Sequence, residues 1–329
     1  MRSADGVAPA RGEAGAVERR ALITGAAGFV GNVLRAYLTA QGWDVACTDL
    51  RPAQEGRSWT ACDVADRDAV FDALEAVGAV THVFHLAALT FVPRARREPE
   101  RAFEVNLLGT VHLVAALRAY APEARLVYVS SAEVYGVPQS LPLTERHPLN
   151  PGNPYAVAKA AADHYCAWCH AAEGVDVIRM RPTNHSGPGQ SDRFALSSFA
   201  RQIAQIEAGK KQPPVLHVGN LDAARDFLHV KDVVRAYELA ALRGVSGEAY
   251  NVCSGRATPI RDAVGKLVDL ARVAIRVESD PERMRPADVP DNCGAHDKLT
   301  AHTGWQPEIP FDVVLADLLS YWRAWEKAE

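Results

Sequence analysis

A tyrosine and a lysine four residues apart, Tyr155 and Lys159, are the side chains best suited to move a proton in this sequence. They stand in Asn153-Pro154-Tyr155-Ala156-Val157-Ala158-Lys159, at the start of an apolar, alanine-rich run. On a helix this spacing places both side chains on one face, one turn apart. The lysine charge favours the phenolate and so lowers a phenol pKa that is ordinarily about 10. The pair predicts proton transfer at a carbonyl or hydroxyl carbon.

A strand, a glycine turn and a helix near the beginning of the chain predict a dinucleotide site. The buried-strand pattern Ala21-Leu22-Ile23-Thr24 leads into the glycine turn and then into an amphipathic helix over residues 32–41. Glycines allow a tight turn and close approach of a pyrophosphate, which the helix N-terminus faces. The predicted contacts of this turn are Gly25, Gly28, Phe29, Val30 and Gly31.

The second strand ends at Asp49, where a ribose-binding acid is expected. A carboxylate there accepts a hydrogen bond from the 2′-hydroxyl and repels a 2′-phosphate, so NAD is the preferred cofactor. Arg51, two residues further on, would still tolerate the phosphate of NADP. Asp63 and Val64 are predicted at the adenine, with a helix N-cap before residues 66–74 as the other interpretation of Asp63.

Two more strands deliver residues to the same edge of a parallel sheet, where ligands bind. After the strand that ends at His85, the small-residue turn Leu86-Ala87-Ala88 lets backbone lie against the cofactor. His85 itself is interpreted as a packed strand-end residue and Asn106 as a structural amide. The strand Leu126-Val127-Tyr128-Val129 leads to Ser131 and Glu133.

In this order, the glycine turn, Ser131 and Tyr155-x-x-x-Lys159 resemble the extended short-chain dehydrogenase/reductase family, the NAD-dependent epimerases and dehydratases. The resemblance implies that Tyr155 donates or accepts the proton and Ser131 hydrogen-bonds the reacting oxygen. It implies that Lys159 holds the nicotinamide ribose and tunes Tyr155. The expected fold is α/β, a doubly wound parallel sheet of Rossmann type with a smaller α/β C-terminal lobe over the strand ends.

We expect three parts along the chain. Residues 1–19 lack an apolar stretch and are predicted to be a disordered extension. Residues 20–181 and about 222–246 form the cofactor domain, including a strand turn and helix over 227–243. Residues of about 182–221 and 247–329 form the substrate lobe.

One run of the second half resembles the GDP-sugar branch of the family, the GDP-mannose 4,6-dehydratases and GDP-4-keto-6-deoxy-mannose reductases. That run is Val218-Gly219-Asn220-Leu221-Asp222-Ala223-Ala224-Arg225-Asp226-Phe227. Arg225 suits a diphosphate because it is permanently charged and fork-shaped, although an ion pair with Asp226 or Asp222 is the alternative. Thr183 replaces the usual aromatic residue of the family. The predicted substrate contacts are Asn184, Asn220, Arg225, Arg285 and Asp288.

Reduction and dehydration compete as the reaction. Glu133 occupies the position of the dehydratase glutamate, but Ser131 stands where those enzymes carry threonine. The segment Gly187-Pro188-Gly189-Gln190 resembles the reductases. We therefore predict reduction of GDP-4-keto-6-deoxy-D-mannose to GDP-D-rhamnose. A GDP-mannose 4,6-dehydratase, a nucleotide-sugar epimerase and a non-catalytic cofactor-sensing scaffold remain alternatives.

Composition limits the other partners. A net charge of −4 offers no attraction to nucleic acid or to an anionic membrane, and no apolar run approaches the roughly 20 residues of a membrane span. Six scattered cysteines, with Cys166 and Cys169 as the one close pair, predict reduced thiols, a cytoplasmic protein and no metal site. The apolar faces of residues 102–120 and 155–172 predict a homodimer.

Overall fold

A computed structural model describes residues 19–51, 58–284 and 289–328. The strands are β1 (Arg20–Thr24), β2 (Asp44–Asp49), β3 (Trp59–Ala61), β4 (His82–His85), β5 (Arg125–Val129), β6 (Val177–Pro182), β7 (Asn184–Ser186), β8 (Val215–Val218), β9 (Ala224–His229), β10 (Ala249–Val252), β11 (Ala257–Pro259) and β12 (Arg276–Ser279). The helices are α1 (Phe29–Ala40), α2 (Arg67–Val77), α3 (Val92–Arg97), α4 (Pro99–Phe103), α5 (Gly109–Tyr120), α6 (Pro154–Glu173), α7 (Ala195–Glu207), α8 (Val230–Arg243), α9 (Ile260–Asp269), α10 (Asp297–Thr303) and α11 (Phe311–Ala328). A π-helical turn, Glu104–Leu108, joins α4 to α5, and 3₁₀ turns cover Ala132–Tyr135 and Pro281–Arg283.

A parallel sheet of seven strands in the order β10-β6-β5-β4-β1-β2-β3 forms the centre of the molecule. Alternate strand residues face two apolar clusters, Ile23 towards α1 and α8, and Leu22 towards α2, α5 and α6. Helices thus cover both faces, as strands of continuous apolar sequence require. The predicted doubly wound α/β fold is confirmed.

The strand order turns back at β1, whose neighbours β2 and β4 continue the sheet in opposite directions. A crevice forms at such a switch point, outside the carboxyl ends of the strands. The glycine turn, Leu86 and Ser130 directly follow β1, β4 and β5 there. Residues far apart in sequence are therefore gathered at one edge of the sheet.

The C-terminal part of the chain adds two small sheets, β11-β9-β7 and β12-β8, packed under α7, α9 and α11. Two strands lie elsewhere than predicted. The strand β9, expected in the cofactor domain, pairs with β7 and β11, while β10, expected in the substrate lobe, is an edge strand of the main sheet. An apolar run predicts a strand but does not say which sheet it joins. The predicted extension, residues 1–19, lies outside the described residues except for Arg19.

One helical stretch, Pro99–Tyr120, is 22 residues long with a mean hydropathy of 1.2, long and apolar enough to cross a membrane. The expectation that no run approaches that length was therefore too strict. Leu113, Val114 and Leu117 of this stretch pack inside the fold against α2 and the sheet. The apolar sequence is thus accounted for by the protein core, which makes this one helix weak support for a membrane span.

Substitution of Gly31 tests the close packing of the glycine turn. A Cβ at Gly31 would lie 2.2 Å from the carbonyl oxygen of Gly25, whereas one at Gly265, also helical, would meet nothing within 4 Å. We expect Gly31→Ala to destabilise the chain by about 2 kcal/mol or more and to weaken dinucleotide binding. Gly265→Ala should stabilise it by up to about 1 kcal/mol. Urea unfolding and a fluorescence titration with NADPH measure both effects, and equal behaviour of the two variants would contradict the prediction.

Candidate active site

One cavity of about 1610 Å³ lies between the carboxyl edge of the main sheet and the C-terminal lobe. It is lined by every predicted site residue that the structure describes, namely Gly25, Gly28, Phe29, Val30, Gly31, Asp49, Arg51, Asp63, Val64, Leu86, Ala87, Ala88, Ser131, Glu133, Tyr155, Lys159, Asn184, Asn220 and Arg225. Arg285 and Asp288 lie outside the described residues. The fold brings the two predicted halves of the site into one space.

Glycine at the start of the turn leaves backbone exposed where a dinucleotide would bind, because a side chain at that position would collide with neighbouring backbone. Gly25 has φ +70°, and a Cβ there would lie 2.7 Å from the backbone nitrogen of Ala87. The backbone nitrogen of Ala87 in turn donates to Thr24 Oγ1 at 3.2 Å. The turns after β1 and β4 therefore lie against each other, and their bare backbone forms a cradle for a pyrophosphate.

Asp49 holds the glycine turn as well as lining the cavity. Its Oδ2 accepts from the backbone nitrogen of Ala27 at 3.0 Å, and its Oδ1 from that of Arg51 at 3.3 Å. Each carboxylate oxygen keeps a second lone pair, so acceptance from a ribose hydroxyl remains available. Arg51, whose side chain is exposed, also lines the cavity.

Asp63 is not the helix cap of the alternative interpretation. The N-cap of α2 is Asp66, whose carboxylate accepts from the backbone nitrogens of Asp68 and Ala69. Asp63 Oδ1 accepts from Ala65 N at 3.0 Å, and its Oδ2 lies 2.5 Å from a guanidinium nitrogen of Arg101. Arg101, which sequence reasoning missed, also lines the cavity and orients this carboxylate.

The catalytic pair is placed by the start of α6. Asn153 is the N-cap and accepts from Ala156 N at 3.0 Å, and Pro154 occupies the first turn. Asparagine followed by proline is a helix-start signal that was available in the sequence. Tyr155 and Lys159 lie one turn apart on the buried face, as predicted.

Tyr155 sits in an apolar pocket with Leu89, Ala95 and Ala102. Burial raises the pKa of Tyr155 to about 12; a hydrogen bond with Ser131 opposes this rise, and the charge of Glu133 adds to it. The prediction that the charge of Lys159 lowers the pKa of Tyr155 is not supported, because Lys159 is not among the groups that shift it. In this structure Tyr155 is therefore a protonated phenol that lines the cavity together with Ser131.

Lys159 is almost fully buried, although it lines the cavity. Its Nζ donates to Val129 O at 2.5 Å and lies 4.8 Å from the ring centre of Tyr128. Burial lowers the pKa of Lys159 to about 8, although the negative charge of Asp163 opposes the change. The ammonium therefore loses its proton at a mildly alkaline pH.

The buried ammonium makes stability depend on pH. The Lys159 pKa is lower in the folded chain than in the unfolded one, where it is 10.5. The destabilisation is full below about pH 8 and disappears as the pH rises towards 10.5. Relative to Lys159→Met, the free energy of unfolding should rise by about 2 kcal/mol between about pH 7 and about pH 10. Urea unfolding of both proteins checks this, and a difference independent of pH would contradict it.

Glu133 lies between the reaction centre and the substrate side of the cavity. Its carboxylate accepts from Asn153 Nδ2 at 3.4 Å. The same charge raises the pKa of Tyr155 and favours the charged form of Arg225. This glutamate is therefore close enough to influence both groups.

Arg225 is not part of a surface ion pair. Its guanidinium donates to the carbonyl oxygens of Ala224 and Pro290 at 2.8 and 2.9 Å. Asp222 pairs with Arg261 at 2.7 Å, and Asp226 accepts from backbone nitrogens of the two neighbouring loops. The alternative pairing is therefore not formed, and the remaining donors of Arg225 can meet an anion in the cavity.

Three polar residues near the site have structural roles. His85 bonds Thr24 Oγ1 at 2.7 Å and Thr110 Oγ1 at 3.1 Å, and burial lowers its pKa to about 3. Asn106 bonds both backbone groups of Leu89. These observations agree with the interpretations of His85 and Asn106. Thr183 Oγ1 lies 3.3 Å from both Asp226 Oδ1 and the carbonyl oxygen of Val252, and its one proton is donated to one or the other.

A contact between the two lobes was not foreseen. Phe91, which follows β4, meets Phe194, which precedes α7, with ring centres 6.2 Å apart. The guanidinium of Arg193 lies 5.9 Å from the Phe91 ring centre. All three residues line the cavity, but nothing in their sequence pattern shows that these distant loops meet.

Residues 22–318 match the family model described as GDP-mannose 4,6 dehydratase. The GDP-6-deoxy-D-mannose reductase of Pseudomonas aeruginosa is 40% identical over 308 residues, 93% of this chain and 98% of that protein. The structure of RMD from Pseudomonas aeruginosa complexed with NADPH has a TM-score of 0.82 at 39% identity, covering 93% of this chain and 99% of that one. The UDP-glucose 4-epimerase of Thermus thermophilus in complex with NAD has a TM-score of 0.81 at 30% identity, covering 92% and 99%.

The match spans nearly the whole folded chain, and it includes the glycine turn, Ser131 and the Tyr155 and Lys159 pair. The chain therefore belongs to the family that the GDP-mannose 4,6 dehydratase model describes, and with it to the extended short-chain dehydrogenases/reductases.

Proposed function

We propose that the chain is an NAD(P)H-dependent reductase that converts the C4 ketone of GDP-4-keto-6-deoxy-D-mannose into the alcohol of GDP-D-rhamnose. The observation that carries the proposal is that Ser131 and Tyr155 line the same cavity as the glycine turn and Arg225. A proton donor, a dinucleotide cradle and a fixed cation for a diphosphate thus face one space. The 40% identity to the Pseudomonas reductase supports the same reaction.

Each residue of the reaction centre has a separate role in the proposed reduction. When bound, the reduced nicotinamide supplies the hydride. Tyr155 donates its proton to the C4 oxygen as negative charge develops there, and Ser131 donates a hydrogen bond to the same atom. Lys159, one helix turn from Tyr155, is expected to hold the nicotinamide ribose.

Both NAD(H) and NADP(H) fit the adenosine end. Asp49 favours a free 2′-hydroxyl, but its carboxylate already accepts from two backbone nitrogens, which offsets part of its repulsion of a phosphate. Arg51, which also lines the cavity, supplies a positive charge. The NADPH in the Pseudomonas structure makes the phosphorylated cofactor a full candidate. Reduction rates with NADH and NADPH decide the preference.

The remaining site assignments extend from Arg225. We expect Arg225 to bind the diphosphate of the substrate and Asn184 its phosphate or sugar. Asn220 is expected to be a further substrate contact, because all three residues line the cavity. We further propose that Arg285 and Asp288 bind the diphosphate and the ribose of the substrate as a second clamp. The main sheet with α8 would hold the cofactor, and the two small sheets with α7, α9 and α11 the substrate.

The proposal is tested with the purified chain, the 4-keto sugar nucleotide and NADH or NADPH. Stoichiometric oxidation of the cofactor and a 6-deoxy sugar with a new C4 hydroxyl are expected. No oxidation of either cofactor would end the reductase proposal. Sugar interconversion with tightly bound cofactor and no net oxidation would identify an epimerase instead.

Dehydration of GDP-mannose is a second candidate because of Glu133. Its carboxylate lies close enough to raise the pKa of Tyr155, where a base for the C5 proton would be needed. The bond from Asn153 and the attraction of Arg225 give it a structural role as well. Incubation with GDP-mannose and no added reductant separates the two, since a 4-keto product forms only if the chain dehydrates.

A homodimer and a cytoplasmic location belong to the same proposal. On the helices predicted to pair, Leu108, Tyr120, Val157 and Trp168 are exposed apolar side chains. Burial of such a surface is a common basis of two-fold dimers. The six cysteines are free thiols, as a reducing compartment favours. Light scattering that finds only monomer at micromolar concentration would remove the dimer.

A further inference from the structure

Tyr237 of α8 is fully buried, and its hydroxyl has no hydrogen-bond partner within the described part of the chain. Three other buried tyrosines have hydrogen-bond partners. Tyr128 donates to Lys159 O, Tyr135 to Asn251 Oδ1, and Tyr250 bonds His302 Nδ1. An unpaired buried hydroxyl is costly, and native proteins rarely keep one without a reason.

The position of Tyr237 suggests the reason. It lines the large cavity, and its ring packs in one cluster with Ala26 of the glycine turn, Met180 and Val252. It therefore lies where the glycine turn meets the ends of β6 and β10. Burial raises the pKa of Tyr237, and the charge of an ionised Tyr155 adds to the rise. The hydroxyl thus stays protonated, and its residue lines the same cavity as Tyr155.

Neutral amide chemistry fits this hydroxyl better than an anion. The glycine turn and the N-terminus of α1 already offer backbone donors to phosphates. The group nearest the reaction centre must be the hydride carrier, because hydride and proton reach adjacent atoms of one carbonyl. Thr183 directs its hydroxyl away, to Asp226 and Val252, and does not offer it to the cavity. A carboxamide has both a donor and an acceptor for a phenol.

Resting on the proposed function, we infer that the Tyr237 hydroxyl hydrogen-bonds the carboxamide of the nicotinamide ring. The oxygen has almost no exposed surface although its residue lines the cavity, so atoms of the cavity wall must shift before the ring can reach it. A flat ring lying on that wall can do so after a small adjustment of its neighbours. The contact would fix the face that the ring presents to the substrate carbonyl.

The test is Tyr237→Phe, which removes one oxygen and keeps the ring. Without ligand, its melting temperature should be about 2 °C higher, because an unpaired buried hydroxyl is lost. The dissociation constant for NADPH, from fluorescence titration, should rise roughly fivefold to tenfold. That for ADP-ribose 2′-phosphate, which lacks the nicotinamide, should not change.

Tyr250→Phe is the matched control, because its buried hydroxyl is paired outside the cavity. It should lower the melting temperature and leave both dissociation constants unchanged. Unchanged NADPH binding by Tyr237→Phe would overturn the inference, and so would an equal loss for both ligands. If the unaltered chain binds NADPH but reduces no keto sugar, the inference stands and the proposed substrate fails. No dinucleotide binding at all would overturn both.

Discussion

Tyr155→Phe is expected to lower kcat for reduction of the 4-keto sugar by roughly 10²- to 10⁴-fold, the usual contribution of a positioned acid. The phenol is buried among apolar side chains, and burial raises its pKa to about 12. Near neutral pH it is therefore fully protonated and ready to donate. Phenylalanine fills the same space but leaves the developing alkoxide with Ser131 alone. Initial rates of NADPH oxidation at saturating substrate measure the loss.

Tyr165→Phe is the control for this experiment. It removes a phenol from the same helix, where Tyr165 stacks on Trp168 away from the cavity. It should keep kcat within about twofold, since it touches no reacting group. The dissociation constant for NADPH should be similar in both variants. A Tyr155→Phe protein with ordinary kcat would show that another group supplies the proton.

The second large effect is expected at Arg225. Arg225→Met should raise KM for the GDP-sugar on the order of 100-fold, because a partly buried diphosphate would lose its charged partner. Arg225→Lys should recover part of the loss, about tenfold, since it restores the charge without the fork. In both variants kcat should change less than KM. Burial disfavours the charged guanidinium of Arg225 in the absence of an anion, which is a further sign of a ligand.

Arg261→Met provides the comparison for Arg225. Arg261 lies in the same lobe, exposed, and pairs with Asp222 at the surface. Its replacement should leave KM unchanged within about twofold, because exposed ion pairs contribute little. If both substitutions raise KM equally, Arg225 acts through the net charge of the lobe and does not contact the substrate.

The parts of the site that depend on local sequence were predictable. Glycines that permit a tight turn, a strand that ends in Asp49 and the helical spacing of Tyr155 and Lys159 are all local patterns. In a parallel sheet, the ends of successive strands meet at one edge whatever the loops do. Knowing the strands was therefore enough to bring these residues together.

The parts of the fold and of the site that depend on packing between distant segments could not be predicted from the sequence. The exchange of places between β9 and β10 is decided by pairing partners, not by the strands' own residues. The contact of Arg101 with Asp63 joins a helix to a loop 38 residues earlier. The high pKa of Tyr155 comes from burial, whereas sequence spacing showed only the neighbouring charge of Lys159. In sequence Tyr237 is an ordinary apolar position of a helix, and only the packing around it leaves its hydroxyl without a partner.

The exchange of β9 and β10 also determines how the molecule can be divided. The chain leaves the main sheet after β6, returns in α8 and β10, and leaves again. A protein cut near residue 246 would lose an edge strand of the cofactor half along with the other lobe. Neither half should fold when expressed alone, and grafting a new substrate lobe from a relative would need several junctions. The lobes should unfold in one cooperative step, which links new substrate specificity to the stability of the whole chain.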